Sequence, residues 1–149
     1  MEEKMKTYGS KELKRFNYLF GEIDAAYHEA SLQLGLSDSA MRILYTICDN
    51  GGGCLLQTIC RYSGLSKQTI NSALRKLEKE GTVYLESAGS KTKMVCLTEE
   101  GKQLAAKTAI KLLNTENEIF DSWTKEEVHT YLSLTEKFLT DFRNKTRQK

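Results

Sequence analysis

Between residues 11 and 34, Leu13, Phe16, Phe20, Ile23, Tyr27, Ala30 and Leu34 recur at alternating spacings of three and four. That period predicts one long amphipathic helix, and a seam so regular calls for another helix against it. Gly35 stops the segment, and Ser37 or Asp38 then offers a capping oxygen to a second helix with Met41, Leu44 and Ile47 on one face. Asn50-Gly51-Gly52-Gly53 breaks that helix. Leu55 to Tyr62 is a short apolar-periodic piece, Ser63-Gly64-Leu65 turns the chain, and Ser66 opens a run in which Ile70, Leu74 and Leu77 return at helical spacing. The pattern predicts two helices joined by a tight glycine-containing turn.

After Gly81 the period changes to two, in Thr82 to Glu86 and again in Met94 to Leu97, with Gly89 central in the stretch between them. A β-hairpin with a basic, flexible tip is expected. Helical spacing resumes behind Thr98, where Glu99 and Glu100 suit the positive end of a helix. Ala106, Ile110, Leu113 and Phe120 are expected on its apolar side. Thr124-x-x-Glu127 forms a capping box flanked by Trp123 and Val128 at the positions of a hydrophobic staple, and Tyr131, Thr135, Phe138 and Phe142 continue the inner face of a last helix. With no proline in 149 residues, the chain reads as a single, mainly α domain with a small β-hairpin.

Charge sharpens this picture. The net charge is only +2, yet residues 1–54 carry 6 basic and 8 acidic side chains and residues 97–149 carry 9 of each. Residues 55–96 carry 7 basic (Arg61, Lys67, Arg75, Lys76, Lys79, Lys91, Lys93) against 3 acidic, an excess of +4 between balanced flanks. In a helix-turn-helix the second helix enters the major groove of DNA, which requires an apolar inner face and short polar or basic side chains outside. Ile70, Leu74 and Leu77 point inward, while Lys67, Gln68, Thr69, Asn71, Ser72 and Arg75 fall on the other side. Gln and Asn pair with adenine, Arg with guanine, and Ser or Thr reaches a thymine methyl or a phosphate. Ser66 at the helix start is a further phosphate donor by this reading. The hairpin then acts as a wing, with Lys91 and Lys93 along the flanking backbone or in the minor groove.

The stretch LLQTICRYSGLSKQTINSALRKLEKEGTVYLESAGSKTKMVCLTEEGKQL, above all GLSKQTINSALRKLEKEG and LTEEG, resembles the winged helix-turn-helix of the multiple antibiotic resistance regulator (MarR) family. The flanking helices are similar to the rest of that family's layout. The resemblance implies residues 37–97 as a DNA-binding lobe between dimerisation helices in 1–36 and 98–149. It also implies a homodimer on double-stranded DNA at an inverted-repeat operator, a transcriptional regulator that is usually a repressor, and release by a small-molecule effector. The family's wing commonly carries an acidic residue and an arginine that enters the minor groove. Here Lys91 stands where that arginine is expected, and lysine lacks the planar guanidinium.

Other chemistries are thinly supplied. No G-x-S-x-G, phosphate-binding loop, dinucleotide fingerprint or H-E-x-x-H occurs, so an enzyme is not expected. The histidines, His28 and His129, lie on separate helices without ligand spacing, so neither a metal nor another cofactor is expected. Cys48, Cys54, Cys60 and Cys96 form no C-x-x-C pair and are expected to be structural free thiols, Cys60 as a small buried residue. The first 20 residues lack the features of an export signal and no run of about 18 apolar residues occurs. A cytoplasmic protein without membrane contact is therefore expected. The alternative reading is a winged helix that docks protein or RNA without operator specificity.

Overall fold

The computed structural model describes residues 7–147, which divide into two compact units, one running through Lys111 and one beginning at Leu112. Helix α1 spans Lys11–Gln33, α2 Asp38–Asp49, α3 Leu56–Ser63 and α4 Lys67–Lys79. Strands β1 (Gly53–Leu55), β2 (Val83–Ser87) and β3 (Lys93–Leu97) form one antiparallel sheet in the order β1-β3-β2. Helices α5 (Glu99–Lys107), α6 (Ala109–Ser122) and α7 (Lys125–Arg147) complete the chain.

The helix starts follow capping chemistry. Ser37, Ser66 and Thr98 each accept a hydrogen bond from the backbone N–H three residues on, at 3.2, 3.1 and 2.9 Å. At Thr124 the bonds are reciprocal: its amide donates to Glu127 Oε1 at 2.9 Å, and the Glu127 amide donates to Thr124 Oγ1 at 3.1 Å. Leu55 precedes α3 without any side-chain cap, and β1 holds that entry instead by pairing with β3.

The core of the first unit is built on α2. Ile43, Leu44 and Ile47 have no water-accessible surface, and with Ile59, Ile70, Val83 and Val95 they form its fully buried centre. Each such side chain is worth about 1.5–3 kcal/mol of transfer from water. Cross-strand pairing puts Val83 opposite Leu97 and Leu85 opposite Val95 on the inner face of the sheet, leaving Tyr84, Glu86, Met94 and Cys96 on its outer face.

The junction between α4, β2 and α5 explains the LTEEG sequence. The Gly81 amide donates to the Glu78 carbonyl and the Thr82 amide to the Leu77 carbonyl, closing α4 with Gly81 left-handed at φ 78°. Thr98 Oγ1 then donates to the Gly81 carbonyl at 2.5 Å. A Cβ on Gly101 would collide with the Thr82 carbonyl oxygen, so only glycine lets the first turn of α5 lie on this backbone.

Two expectations are corrected. The helix foreseen from Thr98 onward breaks at Thr108, which has φ −129° and ψ −88°. Its hydroxyl donates to the Leu104 carbonyl at 2.7 Å and its amide reaches back only to Ala105, so the regular ladder is interrupted. Over residues 99–110 the buried positions are Gly101, Ala105, Thr108 and Ala109, whereas Ala106 and Ile110 are exposed.

In the second unit, Phe120, Trp123 and Tyr131 form an edge-to-face aromatic cluster with ring centroids 5.3–6.3 Å apart. Phe138 and Phe142 stack at 6.2 Å. Among the described residues no helix is long and apolar enough to cross a membrane.

Gly101→Ala is expected to cost about 3 kcal/mol or more, because the added methyl meets backbone rather than a movable side chain. Thr124→Ala, losing one cap, is expected to cost about 1 kcal/mol. Urea unfolding followed by circular dichroism checks both, and equal small losses would refute the close-approach argument.

Candidate nucleic-acid interface

Helix α4 is held from below by Ile70, Leu74 and Leu77, all buried, so their opposite face is turned to solvent. Ser66, Lys67, Gln68, Thr69, Ser72 and Arg75 are exposed, and Asn71 is half-buried at the flank of this face. Gln68, Ser72, Arg75 and Lys79 follow one another at helical spacing along the outer side. Among the described residues the side chains of Gln68, Ser72 and Arg75 form no hydrogen bond or ion pair, and their donors and acceptors point into water. Lys76 and Lys79, not singled out from sequence, extend the cationic end of the same helix.

The helix start has a specific arrangement. Ser66 Oγ accepts from the Thr69 amide and gives its own hydrogen to Thr69 Oγ1 at 2.8 Å. The hydroxyl hydrogen left for an outside acceptor at this end is therefore that of Thr69, not that of Ser66. Helices α1, α2, α5 and α7 carry an acidic residue in their first turn; α3, α4 and α6 carry none, and α4 has Lys67 there. The positive end of α4 is thus uncompensated, which suits an approaching anion.

The wing is the β2–β3 hairpin, closed by the Ala88 amide donating to the Thr92 carbonyl at 2.9 Å and by Ser87 Oγ donating to the Gly89 carbonyl at 3.2 Å. Lys91 is exposed in the tip; Lys93 is exposed on β3 opposite Ser87, on the strand face that carries Val95 and Leu97 further in. The helix and the wing therefore supply cations from neighbouring elements of one unit.

A groove of about 630 Å³ runs beside α4, between the turn joining α1 to α2 and the inner end of α5. Thr69, Ser72, Lys76 and Glu80 line it from α4, and Leu36 and Leu104 give it apolar surface.

These elements define a winged helix-turn-helix protein. Residues 34–91, which hold most of the winged helix-turn-helix, match the family model described as the MarR family. Among solved structures, a MarR family regulator from Neisseria meningitidis shares the fold with a TM-score of 0.76 at 20% identity, over 92% of this chain and 96% of that one. A MarR family transcriptional regulator from Streptomyces coelicolor, solved in complex with DNA, has a TM-score of 0.68 at 16% identity, over 92% of this chain and 91% of that one. NadR in complex with 4-hydroxyphenylacetate has a TM-score of 0.67 at 16% identity, over 92% of this chain and 97% of that one. No curated protein matches the sequence.

The cysteines are all free thiols in differing surroundings. Cys54 is buried on the inner face of β1, and desolvation followed by the nearby Cys96 pushes its thiol up to about 11. Burial also pushes Cys48 up. Cys60 is half-buried rather than buried, because α3 turns its inner face on Ile59 and Ser63. Cys96, on the outer sheet face, donates to Glu86 Oε2 at 3.8 Å and raises the phenol of Tyr84, with smaller contributions from Glu86. Among the described residues no group of three or more His, Cys, Asp or Glu could hold a metal ion.

For Cys54 the folded chain holds its proton to higher pH than the unfolded chain, so ν_U is below ν_N in this window and stability falls as pH rises. The contribution is intact below 9.0, the ordinary thiol value, and is lost between 9.0 and about 11. Relative to a Cys54→Ala chain, the parent is expected to lose on the order of 2–3 kcal/mol across that range. Urea unfolding at stepped pH checks this, and parallel curves for the two chains would contradict it.

Proposed function

We propose that this protein is a transcriptional regulator that binds double-stranded DNA sequence-specifically, as a cytoplasmic homodimer on an inverted-repeat operator. One observation carries the reading: the outer face of α4 offers Gln68, Ser72 and Arg75 without partners, on a helix whose opposite face is locked in the core. Arg75 pairs with guanine and Gln68 or Asn71 with adenine at base edges, while Thr69 and Lys67 take phosphates at the helix start. Lys91 and Lys93 hold the flanking backbone as point charges.

A homodimer is supported by the exposure of Phe16, Phe20 and Ile23 on α1 and of Phe138, Leu139 and Phe142 on α7, large apolar side chains that a second chain would cover. An effector is supported by the groove beside α4, where a small molecule would meet Thr69 and Ser72 and so compete with or tilt the reading face. In this reading the regulator is a repressor released from its operator by that effector.

Fluorescence anisotropy over a salt titration tests the proposal, comparing duplexes from the region upstream of the protein's own gene with a scrambled duplex. A preference of about a thousandfold or more for one inverted repeat is expected. Indifference to sequence at every salt concentration would sink the regulator reading and turn attention to protein or RNA partners. Arg75→Ala or Asn71→Ala is expected to cost about 1–3 kcal/mol on the operator and little on scrambled DNA. Lys91→Ala is expected to weaken both and to lower the salt slope by about 1. Equal losses on both duplexes from the α4 variants would remove that helix as the reader.

A further inference from the structure

The turn between α3 and α4 is gripped from outside by a residue that the reading of α4 does not use. Helix α3 ends at Ser63, whose side chain is buried and whose Oγ accepts from the Leu65 amide at 3.2 Å. Gly64 follows in the left-handed region at φ 70°. The Ser63 carbonyl, one of the orphan acceptors at a helix end, receives Arg42 Nη1 at 2.7 Å, a short charge-assisted bond. Arg42 belongs to α2, and its guanidinium lies over the turn, with Nη1 3.7 Å from where a Cβ on Gly64 would be.

The other nitrogen of the same fork faces α1: Arg42 Nη2 lies 3.9 Å from Asp24 Oδ1. One turn along both helices, His28 Nδ1 lies 2.8 Å from Asp38 Oδ2. Positions 24 and 28 of α1 thus face positions 42 and 38 of α2 as two polar rungs, and the rung nearer the turn continues through Arg42 to the Ser63 carbonyl. Both rungs are well exposed, so their pairing is weak, whereas the bond to Ser63 is part-buried and short.

We propose that Arg42 is the positioning residue of the reading helix: it fixes the turn from which α4 departs, and Asp24 makes that hold depend on how α1 lies against α2. This rests on α4 being the DNA-reading element. A planar fork is required because one nitrogen must take the carbonyl while the other faces the carboxylate, a geometry an ammonium does not reproduce.

The test uses the full chain with Arg42→Gln, Arg42→Lys and Asp24→Asn, read by anisotropy on operator and scrambled duplexes, by thermal unfolding, and by amide hydrogen exchange. Arg42→Gln is expected to weaken operator binding about tenfold, the scale of losing a hydrogen bond to a charged group. Scrambled-duplex affinity and salt slope stay unchanged, while the Leu65 amide and the first turn of α4 exchange faster. Arg42→Lys recovers part of the loss, and Asp24→Asn shows a smaller loss of the same kind.

Operator affinity and exchange both unchanged in Arg42→Gln would overturn the proposal. Losses on both duplexes with a salt slope lower by about 1 would overturn it too, making Arg42 a phosphate contact. Losses that merely track the unfolded fraction would reduce Arg42 to a stability residue. If the parent chain itself does not discriminate between the duplexes, the DNA reading fails, and Leu65 exchange alone decides whether Arg42 fixes the turn.

Discussion

Exclusion of water from the inner face of α2 is the constraint on which the first unit depends. Ile43, Leu44 and Ile47 are wholly buried, and α1, α3, α4, α5, β1 and β3 all pack against the helix that carries them. Helix α4 has no other floor of comparable extent: Ile70, Leu74 and Leu77 are buried where it meets α2, α3 and β2. Their burial turns the polar side chains of α4 outward. The chemistry offered to a partner is therefore a by-product of packing, since the side chains of Gln68, Ser72 and Arg75, set opposite the buried residues, lie exposed.

That dependence explains what could be read from sequence. Apolar spacings of three and four located α1, α2 and α4, and the hydroxyls of Ser37, Ser66, Thr98 and Thr124 marked helix starts that the hydrogen bonds bear out. The outward set on α4 followed from the same period. What could not be read involves partners distant in sequence or a choice between equivalent atoms. The helix breaks at Thr108, where the backbone leaves helical angles and the amide reaches only Ala105, a departure that spacing does not encode. Arg42 reaches a carbonyl 21 residues away, and nothing in its neighbours announces that acceptor. At the start of α4, two adjacent hydroxyls compete for one amide and one another, and only geometry shows that Ser66 becomes the internal donor.

Charge follows a similar division of labour. Acidic residues in the first turns of α1, α2, α5 and α7 suit the partial positive charge of those ends, whereas α3, α4 and α6 carry none and α4 has Lys67 there. A nearly neutral chain can still present a local cationic surface, because α4 and the hairpin carry only Glu78 and Glu86 while most of the acids sit on other elements, whose fields are screened over about 8–10 Å at ordinary ionic strength.

The approach of Gly101 to the Thr82 carbonyl gives LTEEG a meaning separate from DNA. Thr98 serves two elements at once, capping α5 and holding the carbonyl of Gly81, and Gly101 makes room for the crossing. The motif is the record of a joint where a strand leaves the sheet and a helix begins. Its informational content is architectural: the joint constrains Thr98 and Gly101 through backbone contacts of their own, whatever the wing touches.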